Sequence, residues 1–316
     1  MAYYYKVKPK KASKCYLRQK DGFVSWDQAA HAQEFMVYPR NITARLAIDE
    51  SSLSQGELHT FISSRDTKGR KGKLVAMVNS TRSEKIAEVL FTIPKQDREK
   101  VMEVTMDMAS SMRKACEVAF PNAVQVTDRF HVIRLVTDAM QHVRIDQRWK
   151  ELDKENQAIS KARSLGTKHK PTILSNGDTP KQLLARAKYA LYKLPQQWTQ
   201  SQVHRISLLF QLYPNIEKAY RLAWDFRRIY DSTSKEHAIT ALRDWMNRAH
   251  EASIEHFEIA SDTINNHIEG ILAFFNNRST NAHAESFNAQ IKLFRANLRG
   301  VNNPKIFLYR LQKVFA

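Results

Sequence analysis

From Val101 to Val132 the chain reads VMEVTMDMASSMRKACEVAFPNAVQVTDRFHV. An apolar-rich run stops at Asp107. Met108, Met112, Ala115, Cys116 and Ala119 then recur at helical spacing, Pro121-Asn122 interrupts, and a second apolar run stops at Asp128. Two runs of strand length around one amphipathic helix predict a βαβ unit. Parallel strands in such a unit end at the same edge of the sheet, so Asp107 and Asp128 are expected side by side at the carboxyl edge, where α/β sheets hold their sites.

Upstream, the alternation predicts strands over Arg45–Asp49, Leu58–Arg65 and Leu74–Ser80, and a short helix over Ser83–Phe91 capped by Ser83. The turn from Thr67 to Lys73 holds two glycines and four cations, which marks a hairpin with a basic tip formed by Lys68, Arg70 and Lys71. Together these elements predict an α/β fold with a mixed five-stranded sheet. If the first strand lies beside the strand ending at Asp107, Asp49 joins the same edge.

Beyond His131 the period changes. From Ile133 to about Phe275 the pattern is helical, beginning with Leu135, Ala139, His142 and Val143. Trp198, Leu208, Leu209, Leu212, Tyr220, Trp224, Ile229, Leu242, Trp245 and Phe257 form a separate apolar set, enough for a helical bundle of its own. Gly166, Pro171, Gly177 and Pro180 mark a loop, and Pro195 and Pro214 mark helix boundaries. The expected organisation is a basic N-terminal arm over 1–40, the first part of the core over 41–135, an α-helical insertion over 136–275 and the rest of the core over 276–316.

Composition narrows the classes of partner. Lys+Arg 50 against Asp+Glu 32 gives a formal charge of +18, which favours a polyanion, nucleic acid before anionic membrane. Residues 1–20 carry seven Lys/Arg, no acid, and Tyr3, Tyr4, Tyr5 and Tyr16. Such an arm is either a solvated tail or a strand-holding segment that stacks on bases. There is no run of 18 apolar residues and no apolar segment behind the first cations, so a soluble, cytoplasmic protein without membrane attachment is expected. Cys15 and Cys116 are the only cysteines and lie far apart, which excludes a disulfide framework and a Cys-based zinc site. Any metal is then held by oxygen or His.

A third acid lies near the C-terminus, in NNRSTNAHAESFNAQIKLFRANLRG over 276–300. Ser279, Thr280 or Asn281 can cap a helix whose apolar stripe is Phe287, Ile291, Phe294 and Leu298. At about 100° per residue, Glu285, Ala289, Lys292, Ala296 and Arg299 fall on the opposite side, with Asn288 at the margin. That face is either an ordinary polar surface or a metal-binding carboxylate heading a row of phosphate contacts, with Lys292, Arg295 and Arg299 as the cations.

The set of Ile48-Asp49-Glu50, Val104-Thr-Met-Asp107, Phe120-Pro-Asn-Ala123 with Val126-Thr-Asp-Arg-Phe-His-Val132, and Ser279-Thr-Asn-Ala through Glu285-Ser-Phe-Asn288 with Ile291-Lys292 resembles the DDE transposases of bacterial insertion sequences, particularly the ISL-type group. That resemblance implies a ribonuclease-H-like fold with an all-α insertion, and Asp49, Asp107 and Glu285 as the acidic triad. It also makes Asp128-x-x-His131 a supporting pair. Phosphodiester cutting asks for two hard divalent ions, for which three carboxylates are a sufficient protein contribution. Two Mg²⁺, replaceable by Mn²⁺, are therefore expected, with Asp49 bridging, Asp107 on one ion and Glu285 on the other. Glu50 is the alternative to Asp49, and Asp107 has the alternative role of a helix cap. The implied activity is strand cleavage followed by 3′-OH strand transfer in a bacterial, nucleoid-associated protein, with a structure-specific nuclease or an inactive DNA-binding derivative as rivals. DNA is the expected partner, bound by a homodimer. Only 48 residues precede Asp49 and none forms a cysteine pair, so either the chain is truncated, or end recognition lies on a separate polypeptide, or the basic arm and the helical insertion do the binding; a separate partner or weak end specificity is expected.

Overall fold

The computed structural model describes residues 22–54, 57–298 and 303–316. The chain forms two compact units, one built from residues up to Asp128 together with Ser279–Ala316, the other from Arg129–Arg278.

The first unit is built on one sheet. Its strands are β1 (Phe35–Val37), β2 (Arg45–Ser54), β3 (Glu57–Ser64), β4 (Leu74–Val78), β5 (Glu103–Met106) and β6 (Val124–Thr127), in spatial order β1-β4-β3-β2-β5-β6. β2, β3 and β4 pair antiparallel as successive hairpins, while β2–β5 and β5–β6 are parallel. The helices of this unit are α1 (Ser83–Phe91), α2 (Lys95–Arg98) and α3 (Ser110–Ala119), joined after the second unit by two C-terminal helices. Helix α3 supplies the crossover between β5 and β6, as the periodicity over Val101–Val132 requires.

Both faces of the sheet are covered, which explains why β4, Leu-Val-Ala-Met-Val, is buried at every position. Leu46, Ile48, Ile62, Val75 and Val78 meet Ile86 and Leu90 of α1 and Met112, Ala115 and Cys116 of α3 on one side. Phe61, Leu74 and Met77 meet Phe287, Ile291, Phe307 and Phe315 of the C-terminal segment on the other, together with Trp26, Ala32 and Met36. The result is a helix–sheet–helix layering.

The sheet has one strand more than the expected five. β1 is three residues long and has no alternation to reveal it; its strand character comes from pairing with β4, with Met36 opposite Met77. The expectation of a basic arm over 1–40 stops short as well. Residues 1–21 lie outside the described residues, but Trp26, Ala32, Met36 and Val37 are buried, because apolar side chains there outweigh the cations and cover an open sheet face. The basic turn after β3 holds Gly69 (φ +93°) and Gly72 (φ +76°) in the left-handed region, where only glycine sits without strain.

The second unit holds α4 (Arg129–Ser164), α5 (Pro180–Arg186), α6 (Gln200–Leu212), α7 (Pro214–Ile229), α8 (Lys235–Glu251), α9 (Glu255–Asn266) and α10 (Ile268–Asn277), and no strand among the described residues. Its core gathers Leu209, Ala223, Phe226, Trp245, Phe257 and Ile264, with the Trp245 indole donating to the Leu222 carbonyl at 2.8 Å. Capping boxes at Thr179 with Gln182 and Thr199 with Gln202 start α5 and α6, and Pro214 opens α7 where its missing N–H costs nothing. The buried stripe of α4 is Val132, Val136, Ala139, Met140 and Val143, shifted from the expected Leu135, Ala139, His142 and Val143, because the helix starts directly after Asp128. No helix among the described residues is long and apolar enough to cross a membrane.

The chain returns to the first unit at Ser279 and closes with α11 (Ala282–Asn297) and α12 (Pro304–Phe315). α12 starts where the Asn303 side chain accepts from the Lys305 and Ile306 N–H groups.

Candidate active site

Strand register brings three acids into one row. Ala47 pairs with Thr105 and Thr105 with Val126 in the parallel ladders. Two residues further along each strand come Asp49, Asp107 and Asp128, at one level on three adjacent strands. Asp49 lies within β2, Asp107 follows the last residue of β5 and Asp128 the last residue of β6. Because side chains alternate with period two, equal steps from paired residues keep the three on the same side of the sheet.

Each carboxylate is held by named donors. Asp49 is half-buried; its Oδ1 accepts from the Glu50 N–H at 2.9 Å and its Oδ2 from Asn288 Nδ2 at 2.8 Å. Asp107 Oδ1 accepts from the Ala109 N–H at 2.7 Å, so the carboxylate braces the approach to α3 with one oxygen. Asp128 is 2% exposed; its N–H donates to Met106 O at 2.7 Å and its Oδ1 accepts from the Asn281 N–H at 3.1 Å.

Helix α11 brings the fourth acid. Glu285 sits in its exposed first turn and offers a carboxylate oxygen within 4.8 Å of one from Asp128. His131 lies in the first turn of α4, three residues along the chain from Asp128. Asp49 and Asp107 both act electrostatically on Glu50. Burial raises the Glu50 carboxyl above its ordinary range, and the negative charges of Asp107 and then Asp49 raise it further. Glu50 is half-buried beside the row, so its neighbours crowd three negative charges into one end of the sheet.

Two asparagines fix α11 against this row. Asn281 is fully buried at the start of the helix, and its side chain does not cap it. Instead Oδ1 accepts from Thr105 Oγ1 at 2.9 Å and Nδ2 reaches the Ile48 carbonyl at 3.5 Å. Asn288, expected at the margin of the polar face, is 5% exposed and bonded to Asp49. Asn281, expected as one of three candidate caps, holds the cap position but turns its side chain to the sheet, and the periodicity does not show the burial of either amide. Their spacing is nevertheless a signal: Asn281, Glu285 and Asn288 stand at i, i+4 and i+7, a polar stripe on one side of a helix.

The cations divide by position. Lys68, Arg70 and Lys71 are exposed on the turn after β3, and Lys292 is exposed on α11. Arg295 is half-buried, with its guanidinium 4.9 Å from the Phe307 ring centre, so part of its role is packing. Arg299 lies outside the described residues. A second cationic group was not expected: Lys73 is buried, its Nζ 5.7 Å from the Phe287 ring, and burial lowers its pKa. Burial, then Lys73, Arg65 and Arg45, lower the pKa of His283, which keeps that ring neutral at pH 7.

The donor set is carboxylate oxygen, crowded enough to repel itself. Hard divalent cations prefer such oxygens and relieve that repulsion. A buried amide oxygen with no partner among the described residues, Asn288 Oδ1, stands beside it. The residues present therefore fit Mg²⁺ or Mn²⁺.

A central mixed sheet, covered on both faces, with a row of acids at its carboxyl edge, defines a ribonuclease-H-like core. The chain belongs to the ISL3 group of DDE transposases, whose family profile matches residues 46–311. It is 25% identical over 211 residues to the transposase for insertion sequence element IS1557 of Mycobacterium tuberculosis, a match covering 66% of this chain and 46% of that protein. It is 20% identical over 272 residues to the transposase for insertion sequence element IS1001 of Bordetella parapertussis, covering 85% of this chain and 60% of that protein. The chain thus spans about half the length of the curated relatives it matches. The Drosophila P element transposase strand transfer complex overlaps 91% of this chain and 80% of its own at 14% identity and a TM-score of 0.39. At that overlap the fold assignment rests on the strand order itself.

Proposed function

We propose that this protein is the catalytic part of an insertion-sequence transposase, cleaving DNA and joining the freed 3′-OH to target DNA. The observation that carries the reading is the row of Asp49, Asp107 and Asp128 on adjacent strands, with Glu285 of α11 reaching Asp128. Asp49, Asp107 and Glu285 are the acids assigned to two Mg²⁺. Asp128 shares Glu285 and so stands closer to the centre than a supporting role requires, while His131 orients the neighbouring groups. When bound, divalent ions activate the attacking oxygen, neutralise charge on the phosphate and stabilise the leaving oxygen.

The chain's own residues prepare that chemistry. The Glu50 N–H and Asn288 fix the Asp49 carboxylate in place. The Ala109 N–H occupies Asp107 Oδ1, so its other oxygen is the one assigned to a cation. Lys68, Arg70, Lys71, Lys292 and Arg295 hold phosphates, with Arg299 assigned to the same group. The overall +18 charge draws the polyanion in and makes binding strongly dependent on salt. Pairing two element ends calls for a homodimer on DNA, and end recognition by a separate polypeptide belongs to the same proposal.

The test is strand joining with a pre-cut 3′-OH donor DNA in Mg²⁺ or Mn²⁺, for the wild type and for Asp49→Asn, Asp107→Asn and Glu285→Gln. Wild type is expected to hydrolyse and to join, and each isosteric variant to lose both. Hydrolysis without joining would replace the reading by a nuclease, and retained activity in one variant would remove that residue from the site.

A further inference from the structure

We propose that Asn288 is a positioning residue for the acid site, holding Asp49 through its Nδ2 and accepting through its buried Oδ1 a hydrogen bond from a water in the hydration shell of the cation that Asp49 takes. The proposal rests on the reading of Asp49 as a cation-binding acid.

Three observations lead there. First, Asn288 is buried where an apolar residue would be the simpler choice, between Phe287 and Ile291 on α11. Burying an unpaired amide is unfavourable, so its presence needs a compensating partner. Nδ2 has one in Asp49 Oδ2 at 2.8 Å and a weaker one in the Glu50 carbonyl at 3.4 Å.

Second, Oδ1 has none among the described residues: it is fully shielded and accepts from no group there. Exchanging the amide's two ends does not remove the problem, since a carboxylate and a carbonyl both accept and the NH₂ must face them. The orphan is therefore an acceptor, and what it lacks is a donor. Water in the shell of a cation held by Asp49 would be such a donor, since the same amide already bonds that carboxylate through Nδ2.

Third, α11 engages both groups of acids. Asn281 at its start donates its backbone N–H to Asp128, Glu285 one turn later approaches the same carboxylate, and Asn288, three residues on, bonds Asp49. A helix turns about 100° per residue, so 281, 285 and 288 share one face. One helix thereby sets the position of Asp49 relative to Glu285 through a side chain that is not itself an acid.

The experiment is a Mn²⁺ titration of the full chain by electron paramagnetic resonance, without DNA, for the wild type, Asn288→Leu and Asp49→Asn, with urea unfolding of each metal-free protein alongside. Leu fills a similar volume and removes both donor and acceptor. Asn288→Leu is expected to weaken Mn²⁺ binding about 10–100-fold, the range for outer partners of metal ligands, and Asp49→Asn to weaken it further. Wild-type Mn²⁺ affinity in folded Asn288→Leu, with binding lost in Asp49→Asn, overturns the positioning role and leaves the acid site standing. Unchanged affinity in Asp49→Asn overturns the underlying reading. Should Asn288→Leu not fold, Asn288→Ser, too short to reach Asp49, is read by the same comparison.

Discussion

The anchoring of α11 at Asn281 is open to a quantitative test by double-mutant cycle. Asn281 and Thr105 are 176 residues apart in the chain, are both fully buried, and share a 2.9 Å hydrogen bond. Thr105→Val keeps the shape and removes the hydroxyl, leaving Asn281 Oδ1 buried without a donor, a cost of roughly 1–3 kcal/mol. Asn281→Ala removes the acceptor and the link to the Ile48 carbonyl. The Thr105 hydroxyl can then turn to Leu46 O, 3.5 Å away, so the polar part of this cost sits at the lower end, near 1 kcal/mol, and a void adds to it. In the double variant neither buried partner is orphaned, so the loss falls short of the sum of the single losses by about 1–2 kcal/mol, within the range seen for residues in contact. The assay is urea unfolding followed by circular dichroism for all four proteins, taking stability from the midpoint and slope. Single losses that add to within about 0.5 kcal/mol would refute the reasoning, because uncoupled sites behave that way.

Two further outcomes follow from the packing on the two faces of the sheet. Phe287 is fully buried, with ring centres 6.2 Å from Phe61 and 5.4 Å from Phe315, so Phe287→Ala should cost about 3–5 kcal/mol in urea unfolding and Phe287→Leu less; equal, small losses would contradict the packing. Burial pushes the Cys116 thiol up to about 12, so in a Cys15→Ser background iodoacetamide should label it at pH 8 only once urea unfolds the chain. The raised value favours the protonated thiol in the folded state. Its contribution to stability is therefore complete below the ordinary thiol pKa near 9 and is lost as pH rises from there towards about 12. Fast labelling of the folded protein at pH 8 would contradict this.

The sheet edge was legible because strands and helices have different periods. The pattern over Val101–Val132 carries its own alternation, break and crossover helix, and Asp107 and Asp128 follow from it by register. The same local signals place α1 at Ser83–Phe91, although Arg82 and not Ser83 holds the cap position and no side chain caps it, and limit the start of α11 to the Ser279–Asn281 segment. β1 was not legible, since three residues have no period and become a strand only by pairing with β4. Nor was the grouping of the acids. Glu285 lies within 4.8 Å of Asp128 across more than 150 residues of chain, while Glu50 responds to Asp49 and Asp107. Periodicity tells which face a residue takes, not which residue from a distant segment meets it. Asn288 illustrates the same limit: its angle on the helix put it at a margin, and only the closeness of β2 buries it.

The central claim is that Asp49, Asp107, Asp128 and Glu285 surround one cation-binding centre. Iron(II) substituted for Mg²⁺, with ascorbate and peroxide, cuts the polypeptide backbone beside the metal, and mass spectrometry maps the cuts. The account predicts fragments ending near residues 49, 107, 128 and 285, all suppressed by excess Mg²⁺. Cuts confined to the neighbourhood of 128 and 285, or unaffected by Mg²⁺, would contradict it.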